Sequence, residues 1–181
     1  MSFNQIHSRG YLTHVDGADI QFITYRLVDA LPKFVIESFE QFESKERVRK
    51  LYQALSQGKG SCVMNDSENA QLVVDNWRHF DGVKYELLAY VVMPNHVHVL
   101  IKVLGDWTLA SIIHSWKSFT AKKISVPGYD SVWYRDYFDR YIRDDAHLNK
   151  AVHYILQNPV KAGLVRRAKD WPWSWKNDAW F

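Results

Sequence analysis

The chain has 181 residues, 47% of them hydrophobic and 24% charged, and its 23 Lys and Arg against 20 Asp and Glu leave a formal net charge of +3 at pH 7. A chain of this length buries roughly two-thirds of its unfolded surface, so we expect one domain over residues 1–181, held by an ordinary core. The single cysteine, Cys62, excludes an internal disulfide and fits a reducing compartment. No window approaches the roughly 18 uninterrupted apolar residues of a membrane span, and the opening MSFNQIHSRG has no apolar signal stretch. The reading is a soluble, cytoplasmic protein with no membrane partner. The slight excess of cations permits nucleic-acid binding without demanding it. Aromatic residues make up 15% of the chain, with eight Trp; such rings can stack on unpaired bases, although core packing is the ordinary use of most of them.

In chain order, ADIQFITYRLVDALP reads as a first strand closed by Pro32. ESKERVRKLYQALSQGKG is a charged amphipathic helix with Val48, Leu51, Tyr52 and Leu55 at helical spacing and Gly58 past its end. ENAQLVVDNWRHFDG repeats that pattern, so a helical arm over 38–81 interrupts the sheet after its first strand. KYELLAYVVM and HVHVLIKVL are joined by only Pro94 and Asn95, which predicts an antiparallel hairpin. Proline cannot supply a positive φ, so the turn should be wider or bulged. Both strands are apolar at nearly every residue, which places them centrally with both faces covered.

TLASIIHSWKSFTAKKI follows as a helix with Leu109, Ile112, Ile113, Trp116 and Phe119 inward and Lys117, Lys122 and Lys123 outward. VWYRDYFDRYIR reads as a loop and a short edge strand. DDAHLNKAVHYILQN is the last strong helix, with Asp144 as N-cap and Pro159 limiting its end. This order predicts an α+β fold, an antiparallel sheet with helices packed on it.

Chemistry concentrates in YVVMPNHVHVLI. A strand has period two, so His96 and His98 share one face while Val97 and Val99 take the other, and the two imidazoles can converge on one ion. On spacing alone, an ordinary pair of half-buried strand histidines is the default. A catalytic metal site needs a further ligand. On the last helix, Tyr154 and Asn158 are four residues apart and share a flank. The Asn158 amide oxygen suits a hard cation such as Mg²⁺ or Mn²⁺, with the phenol beside it. Asn158 has a rival use as the N-cap of a short turn, PVKAG, ending at Gly163. His147 and Lys150 lie near Tyr154 on the same helix, and solvent exposure is the simpler account of both.

YVVMPNHVHVLI, YILQNPVKAGLV and the closing DWPWSW together resemble the REP-associated tyrosine transposases, relatives of the IS200/IS605 single-tyrosine transposases in the HUH endonuclease superfamily. HVH matches the HUH pair with Val97 between, and YRLVDALP fits the family's first strand. The resemblance spans roughly residues 18–175, and the 38–81 arm carries little of it. It implies a ferredoxin-like HUH sheet with a helical insertion after its first strand. It also implies that His96, His98 and Asn158 hold a divalent metal, Mg²⁺ or Mn²⁺, and that Tyr154 is the nucleophile. Asn158 stands where a two-tyrosine enzyme would carry its second tyrosine, so the single-tyrosine reading follows. The implied partner is single-stranded hairpin DNA of REP type, cleaved and rejoined through a 5′-phosphotyrosine, with a monomer favoured over a dimer. Candidate DNA contacts are Lys117, Lys122, Lys123, Arg135, Arg140 and Arg143, with Trp133, Tyr134 and Tyr137 as stacking platforms. Two other classes stay open: a metal-dependent hydrolase using the HVH pair in a zinc or iron site, and a nucleic-acid-binding module without catalysis.

Overall fold

The computed structural model describes residues 5–9, 12–16 and 20–181. Its elements in chain order are β1 (Gln5–Arg9), β2 (Leu12–Asp16), β3 (Ile20–Arg26), α1 (Lys33–Ser38), α2 (Ser44–Leu55), α3 (Ser67–His79), β4 (Tyr85–Val92), β5 (His96–Val103), α4 (Leu109–Thr120), β6 (Phe138–Tyr141), α5 (Asp145–Lys161) and β7 (Ser174–Lys176). β1 and β2 form their own two-stranded antiparallel sheet, which the periodicity did not announce. The strand expected over ADIQFITYRLVDALP is β3; of that stretch Ala18 and Asp19 lie outside the described residues.

The other five strands form an antiparallel sheet in the order β6-β3-β5-β4-β7. With α3 crossing between β3 and β4 and α4 between β5 and β6, this is the β-α-β-β-α-β arrangement of ferredoxin-like folds, extended at one edge by β7. The α+β expectation therefore holds. β7 itself was not foreseen; it comes from the tryptophan-rich end, where Trp171 Nε1 donates to the Val92 carbonyl at 3.0 Å and Trp175 stacks on Tyr90.

Each face of the sheet has its own core. On one side, Ile23, Tyr25, Val97, Val99 and Ile101 meet Val73 and Trp77 of α3 and Ile112 and Trp116 of α4. The two buried indoles are satisfied by phenols: Trp77 Nε1 donates to the Tyr25 hydroxyl at 3.0 Å and Trp116 Nε1 to that of Tyr85 at 2.9 Å. Thus α3, the second half of the expected arm, is a core layer of the sheet. On the other side, Phe22, Leu88, Val91 and Leu100 pack on Leu148, Ala151, Val152 and Ile155 of α5. A bulge between Leu87 and Ala89 switches the alternation of β4, so Leu88 and Ala89 both face α5.

The β4–β5 turn is narrow, closed by Met93 N–H to the His96 carbonyl at 2.9 Å, and none of its residues has a positive φ. The irregularity expected there lies in β4 instead. The carbonyls of Pro94 and Asn95, which the turn leaves open, accept from Met64 and Leu27 N–H.

Two inward and outward assignments on α4 change. Phe119 is 43% exposed, and Thr120 takes the inward place. Lys117 folds back, its Nζ donating to the carbonyls of Tyr134 and Arg135 at 2.7 and 2.9 Å. Pro159 does not end α5, which runs on to Lys161; the bond its missing N–H forgoes and the crowding of its ring fall in the last turns of the helix. Among the described residues, no helix is long and apolar enough to cross a membrane.

The loop after α2 is fitted tightly against the sheet. Gly60 has φ +91, and a Cβ there would stand 2.7 Å from the Asp29 carbonyl oxygen, whereas Gly58, with φ +62, has nothing within 4 Å. Both positions disfavour an L side chain, but only the first adds a backbone clash. Gly60→Ala should therefore lower the unfolding midpoint in urea clearly more than Gly58→Ala, whose cost should stay near 1–2 kcal/mol. Equal losses would show that the loop yields at Gly60.

Candidate active site

Because β5 is buried throughout its first six residues, its two imidazoles are buried too: His96 is 2% exposed and His98 0%. They project to the α5 face with ring centroids 4.9 Å apart. Register decides what meets them. Thr24 of β3 stands directly opposite His98, and Arg26 opposite His96.

Buried imidazoles need partners. The Asn95 carboxamide is oriented by Nδ2 donating to the Lys59 carbonyl at 2.9 Å, so its Oδ1 accepts, and His96 Nδ1 donates to it at 2.7 Å. That assignment leaves the lone pair of His96 on Nε2. His98 Nδ1 lies 2.6 Å from Thr24 Oγ1, which in turn lies 3.2 Å from the Tyr52 hydroxyl. With Thr24 donating to Tyr52 and accepting from Nδ1, His98 also keeps its lone pair on Nε2. That Nε2 is buried and has no hydrogen-bond partner, a condition that costs about 1–3 kcal/mol unless something binds it.

α5 brings the phenol. The Tyr154 ring packs on His98 with centroids 5.3 Å apart and an interplanar angle of 71°. Burial pushes the Tyr154 hydroxyl up from its ordinary value, and its hydrogen bond with Asn158 pulls the other way. Asn158 is 4% exposed and lies inside α5, its carbonyl accepting from Ala162 N–H. The N-cap alternative is therefore closed, and the carboxamide faces Tyr154. The four expected site residues are linked by successive contacts, His96 to His98, His98 to Tyr154 and Tyr154 to Asn158.

Two neighbours escaped the pattern reading. Tyr52 of α2 packs edge-on to His98 at 5.3 Å and against Tyr154 at 5.7 Å, so α2 closes the site from the side opposite α5. Arg26 is 6% exposed, with its guanidinium 3.8 Å from the Tyr134 ring centroid, and burial lowers its pKa to about 10. Thr24 was legible as part of a strand, but nothing in its own spacing marks it as the partner of His98.

The expected DNA contacts divide. Lys122, Lys123, Arg135, Arg140 and Arg143 are exposed. Trp133 is 4% exposed, with Nε1 donating to Thr120 Oγ1 at 2.8 Å, so it is a core residue and not a stacking platform. Lys117 is committed to backbone carbonyls, as described above, and burial lowers its pKa to about 8. Tyr134 lies beneath the Arg26 guanidinium, and Tyr137 is half-buried. A zinc or iron hydrolase would draw a third His, Cys, Asp or Glu to the pair, and no group of three such residues able to hold a metal ion occurs among the described residues.

Burial lowers the pKa of His96 to about 3, and burial followed by the neighbouring His96 depresses that of His98. Both are neutral in the fold and take up protons once unfolded below about pH 6.5. The unfolded state then binds more protons, so stability is lost as pH falls from about 6.5 toward 3. Between pH 6.5 and 4, unfolding free energy from urea titrations should fall more steeply for the wild type than for His96→Gln, by up to about 1.4 kcal/mol per pH unit. Parallel profiles would contradict buried neutral imidazoles.

Comparison with known proteins identifies a family and a fold. The model of the family described as Transposase IS200 like matches residues 67–158, which include both histidines, Tyr154 and Asn158. The chain is 30% identical over 94 residues to a REP-associated tyrosine transposase of Escherichia coli strain K12, covering 50% of this chain and 53% of that protein. It is 30% identical over 102 residues to a Haemophilus influenzae protein given the same name provisionally, covering 50% and 58%. The matched region thus spans little more than half the length of these curated relatives. A solved structure of a REP-associated tyrosine transposase bound to a REP hairpin superposes with a TM-score of 0.57 at 20% identity, over 96% of this chain and 82% of that one. This likeness bears out the fold, and the family match covers half of the sequence, with His96, His98, Tyr154 and Asn158 inside it: the chain belongs to the IS200-like transposase family.

Proposed function

We propose that this protein cleaves and rejoins single-stranded hairpin DNA with Tyr154 as the nucleophile. The observation that carries the reading is the buried, unpartnered Nε2 of His98 beside the Tyr154 ring. The names of the relatives and of the hairpin-bound neighbour point to the same substrate class.

The donor set fits a divalent cation. Two neutral imidazoles, each held at Nδ1, would offer Nε2, and the Asn158 carboxamide would offer Oδ1 while its Nδ2 donates to the phenol. Mg²⁺ or Mn²⁺ held there would withdraw charge from a phosphate oxygen. The chain's own groups do the rest. Asn158 orients the Tyr154 hydroxyl, and the packing of Phe22, Tyr52 and His98 fixes its ring. The tyrosine oxygen attacks phosphorus, the bond to the 3′-oxygen breaks, and the proton given up by the phenol is balanced by the one gained by the released 3′-hydroxyl. The product is a 5′-phosphotyrosine, and the reverse attack by a 3′-hydroxyl reseals the strand. Bond energy is conserved in the adduct, so no nucleotide cofactor is consumed. Tyr154 lies against His98 of its own chain, which supports a reaction in cis by a monomer.

Incubated with labelled hairpin DNA and Mn²⁺, the protein should form a covalent adduct stable in denaturing gels. Tyr154→Phe should give none, and His96→Ala or His98→Ala should reduce it by at least 10²-fold, the usual order for losing an electrostatic stabiliser. An adduct that persists in Tyr154→Phe would reject the assignment.

A further inference from the structure

The cleft on the α5 side of the sheet is not accounted for by the buried pair. It has a volume of about 640 Å³ and runs between α2 and α5 over β6, with Phe22, Tyr52 and Tyr154 at its inner wall. This volume lies in the range that encloses ligands of nucleotide size. Four exposed cations line it: Lys45 and Arg49 from α2, Arg140 from β6 and Lys150 from α5. Its one acidic lining residue, Glu46, is paired with Arg49 and, at 3.9 Å, with Lys50, so Arg49 would exchange this carboxylate for a phosphate. The field is felt at His147, whose pKa is lowered first by burial and then by Arg140, Arg143 and Lys150, against Asp144.

We propose that this cleft is the path by which the backbone of a single DNA strand reaches Tyr154, with Lys45, Arg49, Arg140 and Lys150 as its phosphate contacts. The inference rests on the transposase reading for its ligand and adds the route. Cations stand on both walls, which suits a flexible polyanion threaded between them. The helical segment after β3 thereby gains a binding role, since two of the four cations belong to α2.

The test measures binding alone. Fluorescence anisotropy with a labelled oligothymidine, in chelator and in the Tyr154→Phe background, removes any contribution from chemistry. The slope of log affinity against log salt should shrink by about 0.7 for each cation lost among Lys45→Gln, Arg49→Gln, Arg140→Gln and Lys150→Gln. Arg49→Lys and Arg140→Lys, which keep the charge, should keep the slope. Lys33→Gln with Lys169→Gln, exposed cations outside the cleft lining, should leave it unchanged. Retained slopes in the cleft variants, or a loss carried by that distal pair instead, would overturn the route. Absence of a covalent adduct in the wild type would strike the nucleophile assignment and leave this result standing.

Discussion

The pairing of Thr24 with His98 across β3 and β5 is the contact on which the site depends. β5 is the middle strand of five and is covered on both faces, so two imidazoles on it can be kept only if their polar atoms are satisfied or used. One nitrogen of each ring is taken by a fixed neighbour, Thr24 or Asn95, and this orients the other nitrogen toward the α5 face. The fold places this task on its central strand. On the opposite face of the sheet, the bonds of Trp77 to Tyr25 and of Trp116 to Tyr85 tie β3 and β4, the two strands flanking it, to α3 and α4.

Helices from distant parts of the chain complete what the strand begins. α5 supplies Tyr154 and Asn158 four residues apart, and α2 supplies Tyr52, which touches Thr24, His98 and Tyr154 at once. His98 is thus enclosed by aromatic rings, and both histidines are buried in a low-dielectric setting that keeps them neutral. Neutral imidazole is the form that donates a lone pair to a cation. The same burial keeps Tyr154 protonated at rest, so the nucleophilic role we propose for it would depend on a phosphate and on what polarises that phosphate.

Much of this was legible before any coordinates, and for identifiable reasons. Period two places His96 and His98 together, and the four-residue spacing places Tyr154 with Asn158; both are properties of one element. The apolar runs correctly marked β4 and β5 as central. Thr24 and Tyr52 were not legible as site residues because their roles come from register and from helix docking, neither of which a local pattern carries. Trp133 and Lys117 were misplaced for a related reason. A helical wheel for α4 does not show the loop before β6, which folds over that helix, buries the Trp133 indole against Thr120 and offers carbonyls to Lys117. Pro159 misled as well, since a helix near its end loses little by including a proline.

The central claim is that His96 and His98 present open Nε2 atoms to one divalent cation beside Tyr154. Anomalous diffraction at the manganese edge, from crystals equilibrated with Mn²⁺, addresses it directly. The account predicts a single strong peak within bonding distance of both Nε2 atoms and adjacent to the Tyr154 hydroxyl. A peak bound elsewhere, with His98 Nε2 engaged by a protein group or an ordered water, would contradict it.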